Sequence, residues 1–160
     1  MAYSKILRRL REEKTNYKKR GTMLMGKRDF ITVHITNENT LVQVLKPGMT
    51  GDTVVSSAHS RYLLGKGWKG SRKSVSAAYL TGYLAGKKAL GKGATDAILY
   101  TGTKRYTQRM AAALKGVIDA GVQVPANEET FPSNERINGE HLTVKNDILQ
   151  MKSTIDGEVK

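Results

Sequence analysis

The sequence predicts an α/β fold, a mixed β-sheet layered with helices and preceded by a basic amino-terminal arm. Three observations carry that expectation. Residues 29–58 hold β-branched, alternating runs separated by turn residues. Residues 74–125 alternate helix-period segments with short apolar runs, the pattern of a helix-bearing crossover within a sheet. Residues 1–28 carry ten basic and two acidic side chains but few apolar ones, too few to build a core of their own.

In chain order, residues 4–19 are rich in helix formers, yet Ile6, Leu7 and Leu10 are nearly their only apolar groups. Such a segment orders on a partner that neutralises its charge; the alternative is a solvated, exposed helix. Phe30-Ile31-Thr32-Val33-His34-Ile35-Thr36 alternates as a strand, Asn37-Glu38-Asn39 is turn chemistry, and Leu41-Val42-Gln43-Val44-Leu45 returns as the hairpin partner. Pro47-Gly48 and Gly51-Asp52 punctuate the next connection, after which Thr53-Val54-Val55-Ser56-Ser57-Ala58 completes a three-stranded meander. Ser74 is the N-cap of a helix running to Leu90, with Val75, Ala78, Tyr79, Gly82 and Gly86 on one face, and the small residues permit close packing. Asp96-Ala97-Ile98-Leu99-Tyr100 suits a buried strand. An amphipathic helix follows from about Thr107 to Ala120, with Met110, Leu114, Val117 and Ile118 inward and Gly121 as its stop. Val122-Gln123-Val124 before Pro125 reads as a last strand and 139–152 as a last helix, for the order βββαβαβα. The expected division is an arm over 1–28, an α/β core over 29–125 and an acidic carboxy-terminal extension with a helix over 126–160.

At 160 residues, a single domain removes roughly 70% of its unfolded surface from water. The formal charge of +13, from 27 Lys and Arg against 14 Asp and Glu, attracts polyanions: nucleic acid first, anionic membrane second. The charge is blocked. Residues 60–93 hold eight basic side chains and no acidic one, whereas 126–160 hold seven acids and four bases. A two-part basic face is therefore expected. No cysteine is present, which excludes disulfides and thiolate metal sites. With no apolar signal core, no long apolar run and no Asn-x-Ser/Thr acceptor, the reading is a cytoplasmic protein with no membrane partner.

Motifs for catalysis fail on context. Gly65-Lys66-Gly67-Trp68-Lys69-Gly70 matches G-x-G-x-x-G but opens no long helix after a buried strand, so a flexible basic loop is expected instead. Gly86-Lys87-Lys88-Ala89-Leu90-Gly91-Lys92-Gly93 resembles a P-loop but has Gly93 at the magnesium-binding hydroxyl position. His34, His59 and His141 are scattered and suggest no metal site. A two-metal nucleic-acid-processing enzyme would need carboxylates such as Asp29, Asp52 and Asp96 to converge, although Asp at a strand start is ordinarily turn or cap chemistry. No cofactor and no catalytic residue are expected.

The basic segments supply the candidates. In the arm, Arg8, Arg9, Arg11, Lys14, Lys18, Lys19 and Arg20 exceed what one helix face holds, and Lys27 and Arg28 follow. These neutralise phosphate, while Tyr17 either stacks on an unpaired base or packs on the domain. His34, Asn37, Asn39 and Gln43 lie in or beside the first hairpin; Asn37 and Asn39 read RNA or only shape the turn. His59, Trp68, Arg72 and Lys73 lie in or near the second basic block, with Trp68 either at the interface or covering the core.

At Arg8-Arg9-Leu10-Arg11-Glu12-Glu13-Lys14-Thr15-Asn16-Tyr17-Lys18-Lys19-Arg20 the chain resembles the archaeal and eukaryotic form of the eighteenth large-subunit ribosomal protein family. Ser57-Ala58-His59-Ser60, Gly67-Trp68, the run from Ala77 to Gly86, and Lys115-Gly116-Val117-Ile118-Asp119-Ala120-Gly121 resemble it in the same order, so the likeness spans about Tyr3 to His141. The resemblance implies a structural protein that binds 5S rRNA and joins it to large-subunit rRNA in the central protuberance, beside neighbouring ribosomal proteins. It implies an arm threaded between the two RNAs, supported by the polar hairpin and basic loop. The other readings are a free RNA chaperone and the two-metal enzyme.

Overall fold

A computed structural model describes residues 8–142 and 147–158; Ile6 and Leu7 lie outside them. The elements in order are α1 (Arg8–Arg11), α2 (Tyr17–Met25), β1 (Asp29–Ile35), β2 (Thr40–Lys46), β3 (Thr53–His59), a 3-10 helix (Ser60–Lys66), α3 (Val75–Leu90), β4 (Ala97–Leu99), α4 (Gln108–Asp119), a 3-10 turn (Glu128–Thr130), α5 (Asn134–Asn138) and α6 (Ile148–Glu158). The sheet order is β3-β2-β1-β4. The first three strands are antiparallel and β4 runs parallel to β1, as the crossover through α3 requires, so the sheet is mixed.

Period-two alternation sorts the sheet into two faces. Ile31 and Val33 of β1, Val42 and Val44 of β2 and Ala58 of β3 are buried in the main core with the helices. Ser56, on the same side, is satisfied by donating to the Ala85 carbonyl at 2.9 Å. The opposite face carries Thr32 opposite Gln43 opposite Ser57, and His34 opposite Leu41 opposite His59.

The helical layer rests on a close crossing of α3 over α4. A methyl group at Gly82 would overlap the Ala113 carbonyl oxygen, and one at Gly116 would overlap the Tyr79 carbonyl oxygen. At Gly86 it would stand 2.7 Å from Ala120 Cβ. Backbone thus meets backbone, and Ala78, Ala85, Ala112 and Ala113 fill the space beside it. Caps fix both helix starts: Ser74 accepts from the Ala77 amide at 3.1 Å and Thr107 from the Met110 amide at 3.4 Å.

Several expectations need correction. Val122-Gln123-Val124 is not a strand. Gln123 makes one isolated parallel bridge to Asp96, because Gly121 turns the chain at φ +112 just before it and Pro125, just after, has no N–H to extend a ladder. The last helix does not begin at 139. Gly139, at φ +72, ends α5, while Asp147 caps α6 by accepting from the Leu149 and Gln150 amides at 2.9 and 3.1 Å. Residues 143–146 of that expected helix lie outside the described ones. Of the expected Gly-rich loop, Gly65 and Lys66 instead end a 3-10 helix, which is capped by His59 Nδ1, accepting from the Arg61 amide at 3.1 Å, and closed by Gly67 at φ +88; residues 67–70 are irregular. Helix α2 was not expected; Asn16 caps it, accepting from the Lys19 amide at 3.0 Å.

Helix α6 returns to the core through buried Ile148, Met151 and Ile155. Asp156 accepts from the Tyr83 hydroxyl at 2.9 Å and pairs with Lys87 at 3.0 Å, and Glu158 engages Tyr62 and Lys66. Part of the 60–93 basic block therefore faces the chain's own acidic end. At the sheet margin, Lys92 Nζ donates to the Val55 carbonyl of β3 at 2.6 Å.

Gly82→Ala is expected to destabilise the fold. The gain of about 1 kcal/mol in helix propensity is outweighed by overpacking of about 1–3 kcal/mol, or more where rigid backbone prevents relief, and a lower urea midpoint checks it. Lys87, with help from the Tyr83 hydroxyl, holds the Asp156 carboxyl below its ordinary value of 3.8. A depressed carboxylate stabilises the fold above its unfolded pKa and stops doing so as pH falls through its folded value, so docking of α6 should weaken below about pH 4. Hydrogen exchange in α6 should then rise before exchange in α3.

Candidate nucleic-acid interface

The face of the sheet away from α3 and α4 receives the basic segment. From the end of the first turn of α2, the Arg20 guanidinium reaches Asp52 at 2.5 Å and lies 5.5 and 5.8 Å from the ring centroids of Phe30 and Tyr100. Those rings stack at 5.6 Å with an interplanar angle of 28°. Asp52 holds Arg20 firmly protonated, its pKa raised further. Arginine suits this place because its planar cation can lie near aromatic faces while its edge donates to a carboxylate. Lys19 Nζ donates to Thr101 Oγ1 at 3.0 Å, and Arg9 Nε donates to buried Thr15 Oγ1 at 3.0 Å. The second half of the expected arm is thus docked on the domain.

Between these parts opens a cleft of about 490 Å³ whose walls come from Arg9, Lys14 and Tyr17 of the amino-terminal segment, Thr32 and His34 of β1, and the loop 100–104 ending in Lys104. Its cations sit beside an exposed aromatic ring, Tyr17, an arrangement able to take phosphate and a stacked base. Burial first, then the nearby Lys104 charge, lowers the His34 pKa, so the imidazole is neutral at pH 7 and available as donor and acceptor. Its Nδ1 is 3.4 Å from Lys104 Nζ.

The sequence candidates divide by position. Arg9, Lys14, Tyr17, Arg20 and His34 share the cleft; Gln43 and His59 stand on the same sheet face. Arg11, Lys18 and Lys27 are exposed with no pairing partner among the described residues. Arg8 and Lys14 each pair with Glu12 at 2.7 Å, which depresses that carboxyl, Arg8 acting most, and Arg28 pairs with Asp96 at 3.0 Å. Asn37 is exposed at the hairpin tip, whereas Asn39 shapes the turn: its carbonyl accepts from the Thr36 amide at 2.9 Å and its Oδ1 from Ser60 Oγ at 3.3 Å. Arg72 pairs with Glu38 across 3.4 Å, and Lys73 immediately precedes the α3 cap.

Trp68 is a correction. It is 4% exposed within the core, so its ring has no free face for a base, and of the two readings open for it the structure adopts the core one. The carboxylates needed by the nuclease reading are otherwise engaged, Asp52 by Arg20 and Asp96 by Arg28; among the described residues no three His, Asp or Glu side chains converge. No described helix is long and apolar enough to cross a membrane. Sequence reasoning missed Tyr100 and Lys104. Their signal was a turn-rich stretch, Thr101-Gly102-Thr103, set between an aromatic and a basic residue directly after a strand.

Arg20→Ala would leave the mostly buried Asp52 carboxylate without its cation and expose the Phe30–Tyr100 stack. A loss of about 1–3 kcal/mol in unfolding free energy is expected, measurable by urea titration.

The chain is similar to known ribosomal proteins. Residues 2–107 match the family model described as ribosomal large subunit proteins 60S L5 and 50S L18. A large ribosomal subunit protein uL18 from Aeropyrum pernix is 46% identical over 143 residues, covering 88% of this chain and 67% of that one. The uL18 proteins of Thermofilum pendens and Methanothermobacter thermautotrophicus are 41% and 42% identical, each over 142 residues, covering 72% and 74% of their lengths. With a family model matching most of its length and relatives aligned across the fold just described, the chain belongs to the L5/L18 family of large-subunit ribosomal proteins.

Proposed function

We propose that this structural constituent of the large ribosomal subunit binds 5S rRNA and anchors it to large-subunit rRNA in the central protuberance. The observation that carries the reading is the cleft between the amino-terminal segment and the sheet face, with Arg9, Lys14 and Lys104 on its walls beside the exposed Tyr17 ring. In this reading residues 1–28 are the RNA-binding arm, 29–125 the orienting α/β core, and 126–160 an extension toward neighbouring ribosomal proteins.

A division of labour within the arm follows from the pairing pattern. Arg20 and Lys19 seat the segment on the sheet through Asp52 and Thr101. Arg11, Lys18 and Lys27 are exposed, have no such partner among the described residues and meet phosphate. Tyr17 offers a stacking surface, and the neutral His34 and Gln43 offer hydrogen bonds to sugar or base edges. Nothing in the set performs chemistry on the RNA; it positions it.

Arg11→Gln with Lys18→Gln is expected to leave the melting temperature unchanged, because neither side chain holds the fold together. RNA affinity should fall, and the slope of log affinity against log salt should lose about 0.7–0.9 for each phosphate no longer neutralised. Filter binding with 5S rRNA and a structured control RNA checks this. Equal affinity for both RNAs would favour the free-chaperone reading and sink the 5S anchor.

A further inference from the structure

A second basic hollow lies outside the cleft and shares no lining residue with it. The shallow site, about 340 Å³, is formed where α3 and α4 begin. Gly82 of α3 meets Ala113 of α4, and Gly86 meets Val117 and Ala120, so the two helices advance in the same sense and start at one end of the layer. Both are long enough for their dipoles to present appreciable positive charge there. Neither carries an acidic residue in its first turn, the usual compensation at a helix start.

The surrounding side chains increase the positive charge. Lys73, Arg109 and Arg136 line the hollow, together with His141, and no described carboxylate does. Five like-signed sources at one spot, two helix ends with Lys73, Arg109 and Arg136, repel one another and cost stability unless an anion is present. A separate observation points the same way. Ser76, 2% exposed, lines the hollow, and its buried hydroxyl has no hydrogen-bond partner. A buried hydroxyl without a partner is costly, and an anion oxygen at the α3 start would satisfy it.

We infer that this hollow is a phosphate site for the backbone of ribosomal RNA, a second contact apart from the arm. The inference rests on RNA being the partner. The loop after β4 favours RNA over an isolated anion. It runs from Lys104, in the arm cleft, through exposed Arg105 to the start of α4, whose first turn carries Arg109 into the hollow, so one basic connection links the two sites.

The test uses the full chain with 5S rRNA and, separately, large-subunit rRNA, comparing wild type with R109Q/R136Q. With the fold retained, the variant should lose affinity for at least one RNA, and its salt slope should fall by about 1.4–1.8 for two lost phosphate contacts. Lys73 of the wild-type protein should also become protected from acylation when RNA binds. That second readout decides the matter if the variant misfolds. Unchanged affinity and slope with both RNAs, or Lys73 labelled equally with and without RNA, overturns the inference. Inorganic phosphate shifting the Ser76 and Arg109 amide resonances while R109Q/R136Q leaves RNA binding intact would make it a free-phosphate site, and also overturns it. Loss confined to large-subunit rRNA would sustain the hollow and place it on that RNA, whereas failure of the wild-type protein to bind 5S rRNA would refute the reading above and not the hollow.

Discussion

The α3–α4 crossing is the constraint on which the rest depends. Gly82 and Gly116 bring two backbones to a separation that a single methyl group would prevent. Because the helices lie so close, Ala-rich faces suffice to fill the layer against Ile31, Val33, Val42 and Val44, and no bulky side chain is needed between them. The packing of α3, α4 and α6 then falls on one side of the sheet. The other side, with Thr32, Gln43, His34 and His59, is left for the basic segment and its partner. The same crossing brings two helix starts to one end.

Charge is sorted with equal economy. The overall excess of basic residues suggested two basic surfaces, but the fold treats them differently. Lys66 and Lys87 turn inward to α6 and are paired with Glu158 and Asp156, so an acidic end that seemed, in sequence, to lie apart from the basic block neutralises part of it. Arg20 and Arg28 are spent on Asp52 and Asp96. Among the described residues, the cations left without a carboxylate include Arg11, Lys18 and Lys27 in the amino-terminal segment and the Lys73, Arg109 and Arg136 group at the hollow. Total charge says little about which cations are available; pairing decides it.

The four strands, α3 and α4 were legible because alternation, cap residues and stop glycines agreed with one another: Ser74 caps α3 where the pattern placed it, and α4 starts beside the expected Thr107. The Gly82–Gly86 spacing also announced the close crossing. Where one signal had to act alone, it failed. Val122-Gln123-Val124 looks like a strand, but pairing is tertiary and only Gln123 finds a neighbour. Gly139 is helix-compatible in a propensity sum, yet its left-handed backbone ends α5. Helix α2 was hidden because its face is held by Arg20 and not by a hydrophobic stripe. Trp68 could not be assigned from sequence, since an aromatic in a basic loop serves either a core or a base, and only burial separates them. Lys104 was missed for a related reason: it reaches the cleft through β1, which is distant in sequence.

The Lys92 ammonium at the margin of β3 bears on how such a protein survives before assembly. An open sheet border is a template for pairing with another chain, and Val54 on that strand is half exposed. By occupying the Val55 carbonyl, Lys92 removes an acceptor from the border and places a charge where an approaching strand would have to lie. The border is thereby guarded against edge-to-edge self-association, and this protection comes from a residue that lines neither the cleft nor the hollow.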